Sequence, residues 1–330
     1  VITKVIVGGD IKGRRGVNLP GAKLSVKSLT NKDKKDLEFG IKNKVDFIAF
    51  SFVRRPEDVI ELREIINNKK SKARIIAKIE DVEGLENIDK IIELVDGIMI
   101  GRGDFGIEIG VENMPMVQKD IIKKCNQAGK PVITATHMLE SMIKSPVPTR
   151  AEVSDIANAI LDGTDAIMLS EETTLGEYPV EAVKVMAKVA ERVEKEMGYS
   201  KKDFMGKGKD KTTDAVSSEA VDLAHNIGAK FIAALTLSGF TARVISRFRP
   251  TQEILAFTPD EYAFNQLNLS FGVRPALLKN KFERLSQVSV AARKYCLENK
   301  IAQKGDSIVI VAGIPFGKSG STNTILVERI

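Results

Sequence analysis

Residues 73–104 read ARIIAKIEDVEGLENIDKIIELVDGIMIGRGD. Two short apolar runs stand at its ends: ARIIAKI at 73–79, and the run that begins with DGIMI at 96. Between them LENIDKIIELV, 85–95, repeats its apolar residues at helical spacing. A strand that is apolar at successive positions is buried on both faces, as in a parallel sheet covered by helices. The same alternation extends outward. Upstream, VDFIAF at 45–50 reads as a buried strand and EDVIELREIINNK at 57–69 as a helix. Downstream come a helix at 116–130 closing near Gly129, a strand from 131, a helix at 149–163 with Thr149 as N-cap, and a strand in DAIMLSEET at 165–173.

Five such strands fit either an open doubly wound sheet or a barrel. Polar residues at the strand ends favour the barrel. Ser51 and Arg54, Lys78 and Glu80, Arg102 and Asp104, Thr136, and Glu172 each fall at or just past a different strand's C-terminal end. A barrel mouth distributes chemistry in this way, whereas a doubly wound sheet concentrates it at one switch point. A full barrel needs eight strands. The expected fold is therefore α/β: a partial TIM (β/α)8 barrel, followed by an α/β domain with a mostly parallel sheet.

TKVIVGGD at 3–10 and KLSVKS at 23–28 read as short β pieces around KGRRGVNLPG, the end of a small β module and its return. YSKKDFMGKGKDKTT at 199–213 is polar and basic and reads as a linker. The expected division is 1–19 for the β module, 20–198 for the barrel part, 199–213 for the linker and 214–330 for the second domain. That domain alternates again: a helix in DAVSSEAVDLAHNIGA, strands in KFIAALT, EILAFT, SFGVRPALL and DSIVIVAGIP, and helices near 260–268 and at 282–299.

The 330 residues suffice for two cores, with 43% hydrophobic and 28% charged residues. No apolar run is long enough to span a bilayer. Asp10, Lys12, Arg14 and Arg15 interrupt any signal-peptide pattern. Cys125 and Cys296 are far apart and fit reduced thiols in a cytoplasmic protein. The net charge of +6 comes with interspersed acids and only 5% aromatics. That pattern argues against nucleic acid and favours small anionic substrates, and no membrane partner is expected.

Lys78 and Glu80 lie two apart on a strand and point to one side. Asp104 ends the next strand run, between Gly103 and Phe105. Two carboxylates on adjacent strand ends with a lysine beside them fit a Mg²⁺ and phosphate site, or else a structural ion pair at a barrel rim. The glycines of GRGDFGIEIG, 101–110, leave N–H groups free for an anion. In TATHMLESM, 134–142, Thr136 can bind a carboxylate or join a proton path, while His137 reads as a rim residue. TLSGFTAR, 236–243, ends a strand and opens a helix with Thr236, Ser238 and Thr241 around the turn, a design for phosphate or for simple capping. GIPFGKSGSTNTI, 313–325, is a second glycine-rich loop without the spacing of a nucleotide P-loop.

The ordered motifs GVNLPG, VDFIAFSFVR, IIAKIED, IMIGRGDFGIEI, TATHMLESM, PTRAEVSDIANAILDGTDAIMLSEET, GEYPVEAV, TLSGFTARVISRFRP and GIPFGKSGSTNTILV resemble the pyruvate kinase family along essentially the whole chain. The resemblance implies phosphoryl transfer from phosphoenolpyruvate to ADP, then protonation of the enolate to pyruvate. It implies that Lys78 neutralises the transferring phosphoryl group. Glu80 and Asp104 would hold Mg²⁺ or Mn²⁺. The N–H groups of Gly103 and Asp104 and the Thr136 hydroxyl would cradle the substrate carboxylate, and Ser51 would line the pocket near a K⁺ site. In the second domain it implies an allosteric sugar-phosphate pocket at Thr236, Leu237, Ser238, Gly239, Phe240 and Thr241. Family members are usually homotetramers.

The family places three barrel strands and an inserted β lid ahead of this segment, with further phosphate, potassium and nucleotide contacts. Only residues 1–19 resemble the lid, by its tail. The chain alone is thus expected to be inactive; a regulatory or sugar-phosphate-binding role is the rival. Three residues depart from the family pattern: His137 for glutamine, Gly101 for alanine and Glu171 for glycine.

Overall fold

The structure, a computed structural model, describes residues 28–198, 210–279, 284–317 and 322–330, with positions 2, 4–9, 19, 21, 282 and 320 besides. Most of the β module expected at 1–19, most of KLSVKS, most of the linker and the Lys318–Ser319 pair lie outside the described residues. Residues 4–9 pair with no strand, and Val5, Ile6 and Val7 are exposed.

The first sheet contains β1 (Phe47–Phe50), β2 (Arg74–Ile79), β3 (Gly97–Gly101), β4 (Val132–Ala135) and β5 (Ala166–Met168), parallel and in sequence order. The helices around it are α1 (Asn31–Lys42), α2 (Pro56–Asn68), α3 (Val82–Glu86), α4 (Ile88–Leu94), α5 (Arg102–Ile109), α6 (Met114–Ala128), α7 (Arg150–Asp162), α8 (Glu171–Thr174) and α9 (Pro179–Glu196). Among the described residues β1 pairs only with β2 and β5 only with β4, so the sheet is an arc with two edges.

Alternation along the strands divides the interior. Ile75, Ala77, Ile79, Ile98 and Ile100 join Ile121, Ile122 and Cys125 of α6 in the layer between sheet and helices. Ile76, Met99, Ile133 and Ala135 form a smaller cluster on the other face, with Leu269 of the second unit packed against it. Lys78 shares the register of Ile76 and so belongs to that inner face.

Three elements differ from the sequence reading. The helix expected over 85–95 is broken at Asn87, whose side-chain amide donates to the carbonyls of Arg54 and Glu83, both at 3.0 Å. The strand run expected to reach Asp104 stops at Gly101, and residues 102–109 form a helix. Helix α1 was not anticipated: it buries only Leu37, too weak an apolar stripe, yet Thr30 and Asp33 form a full capping box at its start.

The second unit comprises α10 (Lys211–Asn226), β6 (Phe231–Leu235), α11 (Phe240–Ser246), β7 (Glu253–Thr258), α12 (Glu261–Leu267), β8 (Val273–Leu277), α13 (Leu285–Glu298), β9 (Ser307–Ala312) and β10 (Thr324–Arg329). Its sheet runs β10-β9-β6-β7-β8, parallel except for β10. Helix α10 starts inside the expected linker because Asp210 caps it through Thr212 N.

Buried arginines join the units. Arg247 Nη1 donates to Gln127 O at 3.0 Å, and Nη2 to Asp214 Oδ1 at 2.6 Å. Arg249 Nη2 donates to Asn126 Oδ1 at 2.8 Å and to Gly163 O, and pairs with Asp165 at 3.2 Å. Arg247 thus meets the C-terminal end of α6, and Arg249 the C-terminal ends of α6 and α7, where open carbonyls and the helix dipole favour a cation.

Candidate active site at the strand ends

β2 delivers Lys78 and Glu80 to the same side. Lys78 Nζ lies 2.8 Å from Glu80 Oε1 and 3.3 Å from Ser51 Oγ. Glu80 is nearly buried, with 3% of its side chain exposed against 22% for Lys78. A buried carboxylate needs partners. The second one here is Phe52 N, which donates to Glu80 Oε2 at 2.9 Å from a turn with φ +52°. Gly101 makes room for this carboxylate: a Cβ there would come within 2.7 Å of Glu80 Cγ and 2.9 Å of Oε1.

Asp104 stands in the first turn of α5, where the helix dipole favours a negative charge. Ser51, Glu80 and Asp104 line one cavity of about 840 Å³, together with Arg54, Asp81 and Glu108. Consecutive residues Phe47, Ile48, Ala49 and Phe50 of β1 also line it. The cavity therefore has an acidic rim that suits a cation, and Lys78 reaches its edge through Ser51 and Glu80. Two hard carboxylate oxygens from neighbouring elements fit Mg²⁺ or Mn²⁺, which take few protein ligands and complete their shell from water or substrate.

The loop after β4 is held in an unusual shape. Thr136 has φ +69° and His137 φ +54°. Left-handed backbone at a β-branched residue costs on the order of 1–3 kcal/mol and persists only where neighbours impose it. Those neighbours are identifiable. Gly103 N donates to Thr136 Oγ1 at 2.9 Å, and Thr136 Oγ1 donates to Ala135 O at 2.5 Å. Arg102 donates to Thr136 O from Nε at 3.1 Å and from Nη2 at 2.6 Å. Glu172, buried, accepts from Leu139 N at 3.1 Å and from Ser170 N at 2.6 Å.

The structure thus brings Ser51, Glu80 and Asp104 to one cavity, pairs Lys78 with two of them, and joins Gly103 to Thr136. His137 is exposed, with Nε2 3.8 Å from Glu140. Sequence reading placed Arg102 and Glu172 at strand ends but gave them no task. Their signal was a charged residue directly beside a strand end that had to be buried.

In the second unit Gly239, at φ +80°, is the N-cap of α11. Thr236 and Thr241 are buried, and Thr241 Oγ1 lies 3.0 Å from Thr322 Oγ1. Leu237 is exposed. Ser238 O accepts from Arg74 Nη2 at 2.7 Å and Arg243 Nη1 at 3.1 Å. Ser238 and Phe240 are half-buried.

Comparison with known proteins agrees with this layout. The family model described as pyruvate kinase, barrel domain, matches residues 1–183, and that described as pyruvate kinase, alpha/beta domain, matches residues 214–328. The chain belongs to the pyruvate kinase family. It is 46% identical over 333 residues to the pyruvate kinase of Clostridium acetobutylicum, covering 100% of this chain and 70% of that protein. It is also 46% identical over 329 residues to the pyruvate kinase of Staphylococcus aureus strain MRSA252, covering 99% of this chain but 56% of the relative. The chain therefore spans little more than half the length of the Staphylococcus pyruvate kinases it matches. Pyruvate kinases are phosphotransferases, and the two matched domains correspond to the arc and the mixed sheet. Against the family pattern, Gly101 lies under Glu80, while His137 and Glu171 are exposed.

Proposed function

We propose that this chain contributes the metal and phosphoryl-transfer side of a pyruvate kinase active site, which converts phosphoenolpyruvate and ADP to pyruvate and ATP. The observation that carries the reading is the meeting of Lys78, Glu80 and Ser51 at the ends of β1 and β2, on the cavity that Asp104 also lines. Glu80 and Asp104 would hold Mg²⁺ or Mn²⁺, which supplies charge neutralisation to the phosphate when bound. Lys78 would then leave Glu80 and offset the charge of the phosphoryl oxygens. Gly103 N, Asp104 N and Thr136 Oγ1 would orient the substrate carboxylate, with Thr136 or a water on it next to the carbon that accepts the proton. Ser51 would line the K⁺ side.

The finer readings are proposals as well. The enzyme would act in glycolysis, in the cytoplasm and as a homotetramer. Domains at 20–198 and 214–330, a lid remnant at 1–19 and a linker at 199–213 would form its frame. Residues 236–241 would take an anionic effector such as a sugar phosphate. No described helix is long and apolar enough to cross a membrane.

With β1 and β5 unpaired at their outer edges among the described residues, the 330-residue chain alone is expected to be inactive. The test is a fusion behind the preceding segment of the Clostridium relative. Turnover on the order of 10–100 per second is expected there, with a loss of about 10³-fold for Lys78→Met. A folded fusion that makes no pyruvate would refute the activity, and comparable turnover by the isolated chain would refute its inactivity.

A further inference from the structure

We infer that Arg102 is a positioning residue that holds Thr136 in the conformation the active site uses; this deepens the function proposed above and rests on it for its catalytic consequence.

Arg102 is buried at the start of α5, one residue beyond β3. Its guanidinium uses both ends. Nε and Nη2 converge on one acceptor, Thr136 O, at 3.1 and 2.6 Å. Nη1 is held from behind by Asp155 of α7, 2.7 Å from Oδ2, and by Gln118 Oε1 of α6 at 3.4 Å. The planar fork is therefore aimed by two helices before it meets the loop. A lysine could supply only a point charge there.

The carbonyl it grips belongs to the residue with φ +69°. In this conformation the Thr136 carbonyl faces the arginine and its hydroxyl faces α5. Gly103 N then finds Thr136 Oγ1 at 2.9 Å. This N–H sits in the first turn of α5, where no acceptor exists within the helix. Arg102 and Gly103 are adjacent in sequence and hold the same residue, one by its carbonyl and one by its hydroxyl. Without the fork, Thr136 keeps its left-handed backbone only through its hydroxyl contacts and the Glu172 bond to Leu139 N, and the Gly103 bond weakens as the residue relaxes. Arg102 itself touches no reacting atom in this scheme.

Hydrogen exchange on the chain decides the matter without reference to turnover. In Arg102→Met the Gly103 amide is expected to lose about tenfold or more of its protection, while Ile133 and Thr134 amides in β4 keep theirs. Arg102→Lys should fold if the methionine variant does not, and should lose part of that protection. Gly103 protection within about twofold of the unmodified chain in the folded variant overturns the inference. So does equal loss across β4, which marks a purely structural arginine. Kinetics on the active fusion add a second reading. Arg102→Met should lower kcat about 10- to 100-fold with KM for ADP within about twofold, and should add little to Thr136→Val in the double variant. Additive losses overturn it. Absence of turnover in the unmodified fusion would instead refute the proposed function and leave the exchange result standing.

Discussion

Arg249 of the second unit donates to Asn126 Oδ1 of the first at 2.8 Å, so one unit completes the hydrogen bonding of the other. The same side chain reaches Gly163 O, pairs with Asp165, and lies 4.5 Å over the ring of Phe271. Both members of the Arg249–Asp165 pair are buried, at 5% and 7% exposure. Removing one partner of such a pair strands the other charge, at about 3–5 kcal/mol. Arg249→Met should therefore lower stability by that order. It should also split one calorimetric transition into two as the units lose their joint. A single unshifted transition would show that the joint carries no stability.

Gly101→Ala tests the packing of Glu80. The glycine has φ −88°, which alanine tolerates, so the backbone should hold. The new methyl displaces Glu80 from its contact with Lys78. The expected result is a fold within about 1 kcal/mol of the original and tighter Mn²⁺ binding in a paramagnetic titration, because Oε1 is released from the ammonium. Unchanged Mn²⁺ affinity would mean that the ion pair does not compete with the metal.

Glu152 gives a pH signature. Burial pushes its carboxyl up, but hydrogen bonds from Ser141 and Thr149 outweigh this and leave it below the usual value of 4.5. A carboxylate lowered in the folded state adds stability above its unfolded pKa and loses it as pH falls through the folded one. Urea midpoints should drop as pH falls below about 4.5, more for the unmodified chain than for Glu152→Gln. Parallel curves for the two would contradict this.

Glu172→Ala should leave Leu139 N and Ser170 N without their carboxylate. Buried groups stripped of a charged partner cost about 1–3 kcal/mol each. Denaturant unfolding should report a loss of that order, together with faster proteolysis in the loop 136–143. A loss below about 0.5 kcal/mol would show that water replaces the carboxylate.

The sequence revealed most of the frame because parallel strands announce themselves as doubly buried apolar runs. The strand at 74–79 and the cap at Thr149 appeared where the pattern put them. Helix α1 and the break at Asn87 did not, since one depends on a cap rather than a stripe and the other on a tertiary bond to Arg54 O. At the site, Lys78 and Glu80 were legible from a spacing of two. The roles of Arg102 and Glu172 were not, because both act on backbone atoms of residues 33 to 34 positions away.

Helix α7 is fastened at both ends by residues from elsewhere. At Gly163 it meets Arg249. At its start Glu152 takes Ser141 N at 2.7 Å and Ser141 Oγ at 2.6 Å. Its 13 residues span about 20 Å, and midway Asp155 carries the salt bridge to Arg102. A rod pinned in this way cannot slide at one end alone. Axial movement of the second unit would arrive at the loop beyond Thr136 as a mechanical pull, without any change in the strands between them.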